Sequence, residues 1–442
     1  MPWLLNLAYL VVLVAATPWL LWQRLLGKSR RGLWQKFTGA VAPRNDRRPL
    51  AWFHAVSVGE VLQLEPIIAG CRARWPTLDI LITTTTSSGH RLATERFAGD
   101  RVCWFPLDFS WAVKRALQRI RPTLVVLVEL ELWPNFILAA HRAQIPLALI
   151  NGRISENSFR GYRRAGGLFG RLLCCFDRLV MQNEIYADRV RRLGGPADRT
   201  LVSGSIKYDR IQTSRDNPET LALARTLGIN PRDPVFVAGS TQEPEEQLAI
   251  EAWVAARENH PDLRLILVPR HPERFDSVAA TVRRMGHSLL RRSNVDGSAI
   301  ATGDRPVVLL DTIGELSACW GLADVAFVGG SLTNRGGQNM IEPAAYGAAV
   351  LFGPHTHNFQ DVVEELLRRG GARVVNDGPS LADRLIWLLD QPSAASSLGD
   401  AARGFVTSRQ GASQQTLAMI EDLLPATVVG ATEKDSACGK AA

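Results

Sequence analysis

The sequence predicts an α/β protein of two doubly wound, Rossmann-like domains facing one cleft, preceded by an N-terminal membrane-anchor helix. Three observations carry this expectation. Short apolar runs alternate with helix-length stretches along most of the chain, the pattern of parallel sheets covered on both faces. At 442 residues the chain exceeds one ordinary core, so two domains of roughly 150–200 residues are expected. The run from Met1 to Trp22, MPWLLNLAYLVVLVAATPWLLW, carries no charge over about the ~20 residues that cross a bilayer.

That first segment is followed by Arg24, Lys28, Arg30, Arg31 and Lys36 before the first acid, Asp46. By the positive-inside rule the flank stays cytoplasmic, which leaves a very short N-terminus outside and the bulk of the chain in the cytoplasm. A cleaved signal is disfavoured, because no basic region precedes the apolar run and no small-residue cleavage site ends it. Pro18 and Asn6 also permit an interfacial, partly inserted helix. A basic linker over 23–49 then leads to the first domain, 50–210. In it LAWFHAV, DILITTT, LVVLV, PLALI and RLVMQ read as strands. A polar, proline-bearing stretch makes a hinge of 211–233. The second domain, 234–426, carries strands PVFVAGS, LRLILV, PVVLL, DVAFVG and AVLFG, and the small polar tail, 427–442, is expected to be disordered.

Composition narrows the function. With 46% hydrophobic and 21% charged residues the chain is globular, and its net charge of +8 admits nucleic acid, an anionic substrate or a membrane surface as partner. The basic cluster beside the apolar segment favours the membrane over nucleic acid. Six cysteines without CxxC spacing read as reduced, buried thiols. No histidine cluster suggests zinc and no DxD stands at a strand end, so neither metal nor cofactor is expected.

In open α/β sheets ligands bind beyond the carboxyl ends of the strands, so the residues there decide the chemistry. Behind LAWFHAV comes SVGEV, with Glu60 in the first turn of a helix that places Val61, Leu64, Ile68 and Cys71 at helical spacing. GxGxxG is absent and Glu60 would repel a pyrophosphate, so no dinucleotide sits here. Glu60 fits either a cap on the helix dipole or an active carboxylate. ELELWPN extends an apolar strand with Glu129 and Glu131, whose plainer reading is pairing with Arg153 or Lys207. In GSTQEPEE, Ser240 and Thr241 suit a phosphate at a helix start or a capping box. PRHPERF brings Arg270, His271 and Arg274 to a strand end; Arg270 suits phosphate or carboxylate, or a surface ion pair. The most specific stretch is GGQNMIEP: Gly336 and Gly337 allow close backbone approach, Asn339 offers amide donors, and Glu342 stands ready for ribose hydroxyls. A glycine-rich loop opening a helix, with an acid a few residues in, resembles the nucleotide-diphosphosugar pattern of two-domain glycosyltransferases.

Taken together, FHAVSVGEV, ELELWPN, INGRISENSF, GSIKYD, AGSTQEPEE, VPRHPERF, DTIGEL and FVGGSLTNRGGQNMIEPAAYGAAVLFGPHTHNF, in order from residue 50 to about 362, resemble the Kdo (3-deoxy-D-manno-octulosonic acid) transferases. The resemblance implies a GT-B fold and metal-independent, inverting transfer of Kdo from CMP-Kdo to a lipid A precursor at the cytoplasmic face of the inner membrane. It implies Glu60 as general base, with Glu131 and Lys207 at positions credited with transition-state stabilisation. It places Pro269, Arg270, Ile313, Gly314, Glu315, Asn339, Met340, Ile341 and Glu342 at CMP-binding positions. Gln242 and Gln338 depart from the family's usual histidines and keep hydrogen bonding without a titratable ring. The rivals are a GT-B transferase using a UDP-sugar for a lipid-linked acceptor, and a non-catalytic, membrane-anchored binding protein.

Overall fold

The computed structural model describes residues 2–25, 32–164, 166–295 and 305–429. The chain forms two compact units, 1–210 with 410–442, and 211–409. In the N-terminal unit the strands are β1 (Leu50–His54), β2 (Asp79–Thr84), β3 (Arg101–Trp104), β4 (Leu124–Val128), β5 (Leu147–Gly152), β6 (Arg178–Met181) and β7 (Thr200–Val202). They run parallel in the order 3-2-1-4-5-6-7. Each central strand buries both faces. Trp52, Leu81, Val125 and Leu149 enter a core with Phe136 and Phe176, while Phe53, Ile82, Val126 and Ile150 meet Leu64 and Ile68 on the other side. Those last two belong to the helix Val58–Arg74, which buries Val61 and Cys71 as their spacing predicts.

The C-terminal unit repeats the plan with β8 (Val235–Thr241), β9 (Arg264–Pro269), β10 (Leu289–Arg291), β11 (Val307–Leu309), β12 (Val325–Val328), β13 (Ala349–Phe352) and β14 (Ala372–Val374). The order is 10-11-9-8-12-13-14, again parallel. Phe236, Leu265, Leu267, Phe327 and Leu351 form its core with Trp253 of the helix Glu245–Arg257. The two α/β sheets are as expected. The strands absent from the sequence reading are the sheet edges β3, β7, β10 and β14, which are short and half-buried and carry no continuous apolar run.

Four expectations are corrected. Pro2–Leu25 is a helix, but among the described residues no helix is long and apolar enough to cross a membrane, so a spanning anchor over 1–22 is not supported. One face of this helix is tied down by polar groups. Buried Asn6 accepts from the Ser110 N–H at 3.1 Å and from Asn135 Nδ2 at 3.2 Å, and the Tyr9 hydroxyl donates to Asp108 at 2.9 Å. Of the basic flank, Lys28, Arg30, Arg31 and the Arg24 side chain lie outside the described residues; Lys36 is buried, its Nζ donating to the Thr85 carbonyl at 2.7 Å.

Residues 211–233 are not a separate hinge, since the helix Pro218–Leu227 packs into the C-terminal unit and Thr220 Oγ1 donates to the Ala318 carbonyl at 3.1 Å. The C-terminal unit also ends earlier than residue 426. The helix Ala412–Ile420 returns to the N-terminal unit, where Leu417, Ile420 and Val428 are buried in its core. Asp209 clamps that return by accepting from the Gly411 N–H at 2.7 Å and the Ser413 N–H at 2.5 Å. The expectation of a disordered tail fails at 427–429, where Val428 is buried, and 430–442 lie outside the described residues. Leu417→Ala is expected to destabilise the N-terminal unit by about 2–5 kcal/mol. Amide exchange should rise in β1 and β4 and hold in β8 and β12; the reverse pattern would refute this assignment.

Candidate functional site

Every strand of a parallel sheet ends at the same edge, and a ligand crevice opens where the strand order reverses. That point lies between β1 and β4 in one unit and between β8 and β12 in the other. At the carboxyl ends of these four strands stand Glu60 in the first turn of the helix after β1, Glu131 in the loop after β4, Ser240 and Thr241 as the last residues of β8, and the glycine-rich stretch after β12. Sequence reading and topology therefore meet at the same places.

Behind β1, Ser57 is the N-cap of the helix Val58–Arg74, and Glu60 folds back over it. Its Oε2 accepts from the Val56 N–H at 2.8 Å and its Oε1 from the Ser57 hydroxyl at 2.9 Å. The capping reading is thus part of the truth. Each oxygen still has a second lone pair, and burial pushes the pKa up against those hydrogen bonds, with Glu129 adding in the same sense. Glu60 is a more basic carboxylate than one in water.

Behind β4, Glu129 takes the left-handed region at φ 59°, and Asn151 does so near the end of β5 at φ 52°. Asparagine tolerates this; glutamate is held there at a cost of order 1–3 kcal/mol, as strained residues at functional sites often are. A chain of side-chain bonds holds both. Glu129 Oε1 accepts from Gln63 Nε2 at 3.1 Å, Gln63 Oε1 accepts from Asn151 Nδ2 at 2.5 Å, and Asn151 Oδ1 accepts from the Ile206 N–H at 3.2 Å. Ile206 opens the short 3₁₀ turn that carries the exposed Lys207. The partner of Glu129 is therefore an amide, and no described ion pair joins Glu129 or Glu131 to Arg153 or Lys207. Burial, then Glu60 and Glu129, push Glu131 up to about 7. Gln63 escaped the sequence reading, and Asn151 entered it only as part of the strand-end stretch INGRISENSF, with no role of its own. The signal for Gln63 is a polar residue, 3% exposed, set among Val61, Leu64 and Ile67 on a buried helical face.

In the C-terminal unit one carboxylate organises both loops. Glu245 is fully buried and accepts from the Gln242 N–H at 2.9 Å behind β8, and from the N–H groups of Gly330, Ser331 and Leu332 behind β12 at 2.7, 3.0 and 2.9 Å. Ser240 and Thr241 make no side-chain cap for the helix Glu245–Arg257, and both are buried. Arg274 forms a two-pronged pair with Glu246 at 2.5 and 3.0 Å, its structural reading. Arg270 is exposed at the end of β9, and its Nε donates to Gln338 Oε1 at 3.1 Å. Gln338 and Gln242 flank one glycine: a Cβ on Gly330 would lie 3.2 and 3.4 Å from their Nε2 atoms.

Gly336 has φ 86°, and a Cβ there would meet His357 Nε2 and Asn358 Nδ2 at 2.5 Å, so this turn requires glycine. Next to it Asn339 Nδ2 donates to Glu342 Oε1 at 2.8 Å and its Oδ1 accepts from the Ile341 N–H at 3.1 Å, while Met340 is buried beneath. Behind β11, Ile313 is 84% exposed, Gly314 has φ 96°, and Glu315 is held by Thr312 and by Arg292 at 2.9 Å. With Pro269 at the end of β9, these positions line the carboxyl edge of the adjacent strands β11, β9, β8 and β12. The array offers backbone, amide and guanidinium donors to an anion.

Glu245→Ala would orphan four backbone N–H groups, each worth about 1–3 kcal/mol when buried; a loss of at least about 4 kcal/mol is expected in urea unfolding of the C-terminal unit. For Glu131 the sign follows from its raised pKa. The folded state keeps its proton between the ordinary carboxylate value and about 7, so stability is lost as pH rises through that window. Glu131→Gln should raise Tm at pH 8 by roughly 2–4 °C and less at pH 5; an equal rise at both would remove the assignment.

Comparison with known proteins agrees. A family model described as 3-deoxy-D-manno-octulosonic-acid transferase (kdotransferase) matches residues 28–210. The 3-deoxy-D-manno-octulosonic acid transferase of Bordetella pertussis is 35% identical over 424 residues, 92% of this chain and 96% of that one. That of Haemophilus influenzae is 32% identical, covering 85% of this chain and 88% of its own. Among solved structures, UDP-GlcNAc 2-epimerase from Neisseria meningitidis bound to UDP-GlcNAc superposes with a TM-score of 0.55 at 12% identity, over 84% of this chain and 99% of that one. At that identity the likeness shows a shared two-domain fold.

Proposed function

Because this chain belongs to the 3-deoxy-D-manno-octulosonic acid transferase family, and is thus a glycosyltransferase moving Kdo in lipopolysaccharide synthesis, we propose that it transfers Kdo from CMP-Kdo to a lipid A precursor, with Glu60 as general base. The observation that carries this reading is the Glu60 carboxylate itself: buried at a switch point, aimed by Val56 and Ser57, and made more basic by burial.

An acceptor hydroxyl is a weak nucleophile until its proton is removed during attack, and a positioned base contributes roughly 10²–10⁴-fold. The hydroxyl oxygen forms the new bond to the anomeric carbon of Kdo as the bond from that carbon to the CMP phosphate breaks. The proton passes to Glu60, the electron pair leaves with CMP, and the anomeric centre inverts. Glu131 and Lys207 serve the transition state, Lys207 offsetting negative charge near the sugar carboxylate. The departing nucleotide is held by Arg270, whose guanidinium is aimed by Gln338, and by Pro269, Ile313, Gly314, Glu315, Asn339, Met340, Ile341 and Glu342, with Ser240 and Thr241 behind them. No metal is assigned a step.

The chain meets the membrane surface, on this reading, through exposed apolar side chains of the N-terminal helix and its neighbours, among them Trp3, Leu7, Val11, Val14, Trp34 and Trp111. Tryptophans beside aliphatic side chains suit the interfacial region of a bilayer.

The test is incubation with CMP-Kdo and a tetraacylated lipid A precursor, read by mass spectrometry. Wild type should yield products carrying Kdo, and Glu60→Gln should lose at least about 10²-fold in turnover while binding CMP as before. A fully active Glu60→Gln protein would sink the base assignment; absence of product from wild type would sink the acceptor.

A further inference from the structure

We propose that the N-terminal helix is a positioning element of the site as well as a contact for the membrane: Asn6 and Tyr9 brace the start of the helix Pro134–Arg142, and through it the loop that carries Glu131. The inference rests on the reading above in which Glu131 serves the transfer.

The polar contacts form one connected set, in which the buried Asn135 Oδ1 alone among these side-chain atoms has no partner. Asn6 Oδ1 accepts from the Ser110 N–H and from Asn135 Nδ2, and Asn6 Nδ2 donates to Ser110 Oγ at 2.8 Å. Tyr9 donates its hydroxyl to Asp108 Oδ2, which also accepts from the Asn135 N–H at 3.0 Å, while Asp108 Oδ1 accepts from the Phe136 N–H at 2.8 Å. Asn135 Nδ2 donates in addition to the Asp108 carbonyl at 2.6 Å. Asp108 therefore caps the helix Pro134–Arg142, and the N-terminal helix supplies two of the groups that hold the cap.

Burial separates a brace from a tether. Asn6, Asp108 and Asn135 are 7%, 5% and 3% exposed, and buried polar groups cost stability unless paired. A helix that only fastens the chain to lipid needs none of them. Below the cap, Phe136 packs edge-on against Trp52 with ring centroids 5.1 Å apart. The helix start is thus fixed from the core side by Phe136 and from the other side by Asp108. Only Leu132, Trp133 and Pro134 separate it from Glu131, so a shift at Asn135 is passed on through a short, proline-stiffened link. Removing the Tyr9 hydroxyl takes one partner from a carboxylate that burial already holds up at about 6, which weakens the cap in its charged form.

The experiment uses the full-length chain with CMP-Kdo and a detergent-dispersed lipid A precursor, so that membrane recruitment does not limit turnover. Tyr9→Phe keeps the ring against Phe109 and loses only the hydroxyl; Asn6→Ala is its companion, and Thr17→Ala, whose exposed side chain bonds only to Leu13 of its own helix, is the control. Expected are a fall in kcat of about ten- to a hundredfold in both variants, an unchanged KM for CMP-Kdo, faster amide exchange at Asn135 and Phe136, and no change in Thr17→Ala. In a Glu131→Gln background, Tyr9→Phe should cause no further loss. Wild-type kcat with only weaker vesicle binding would overturn the proposal, as would an equal loss in the Glu131→Gln background. If wild type makes no product or Glu131→Gln is fully active, the functional reading fails on its own; unaltered exchange at Asn135 and Phe136 in Tyr9→Phe overturns the brace whatever the activity.

Discussion

A parallel sheet has to satisfy the backbone at its carboxyl edge, where the strands stop and their N–H groups lose their ladder partners. In this protein buried side chains meet that requirement. Glu245 collects four N–H groups from the loops behind β8 and β12. Asp108 collects those of Asn135 and Phe136. Asn151 takes that of Ile206 while its own amide is locked by Gln63. A buried charge is tolerated only when its lone pairs are filled by donors, so the groups that make the loops stable also prevent them from moving. A site assembled from such loops is pre-organised by the same bonds that allow the sheet to end there.

Electrostatics within the N-terminal unit follow from that rigidity. Burial and mutual repulsion raise Glu60 and Glu131, and Glu131 feels the charge of both Glu60 and Glu129. Glu129 is stabilised by Gln63, Glu60 by Val56 and Ser57, and the strain of shared charge falls on Glu131. Near neutrality Glu131, pushed up to about 7, is therefore part protonated, and the place holds less negative charge than its composition implies.

The parts legible in the sequence were those where one physical demand dominates. Strands buried on both faces announce themselves as apolar runs, and the central strands stood where those runs predicted. Edge strands such as β10 answer to no such demand, because their three residues are all half-exposed, and they left no trace. Glu60, Glu131 and Arg270 were visible as polar residues at the ends of apolar strands. The roles of Gln63 and Asn151 were not, because their importance lies in a contact between residues 88 positions apart in sequence. The N-terminal segment was misread for a related reason. Its uncharged length suggests a bilayer, and only tertiary contacts reveal that Asn6 and Tyr9 have partners in the folded protein.

The return of the helix Ala412–Ile420 to the N-terminal unit has a consequence for how the protein is made. Its partners in that unit are translated before residue 211, and the whole C-terminal unit, 211–409, emerges before the helix does. At about 5–20 residues per second the N-terminal unit waits roughly 10–40 s on the ribosome with the surface around Ile68 and Ile206 uncovered. During that interval it is an unfinished domain beside a nascent one. The returning helix Ala412–Ile420 is what covers that surface once it is synthesised.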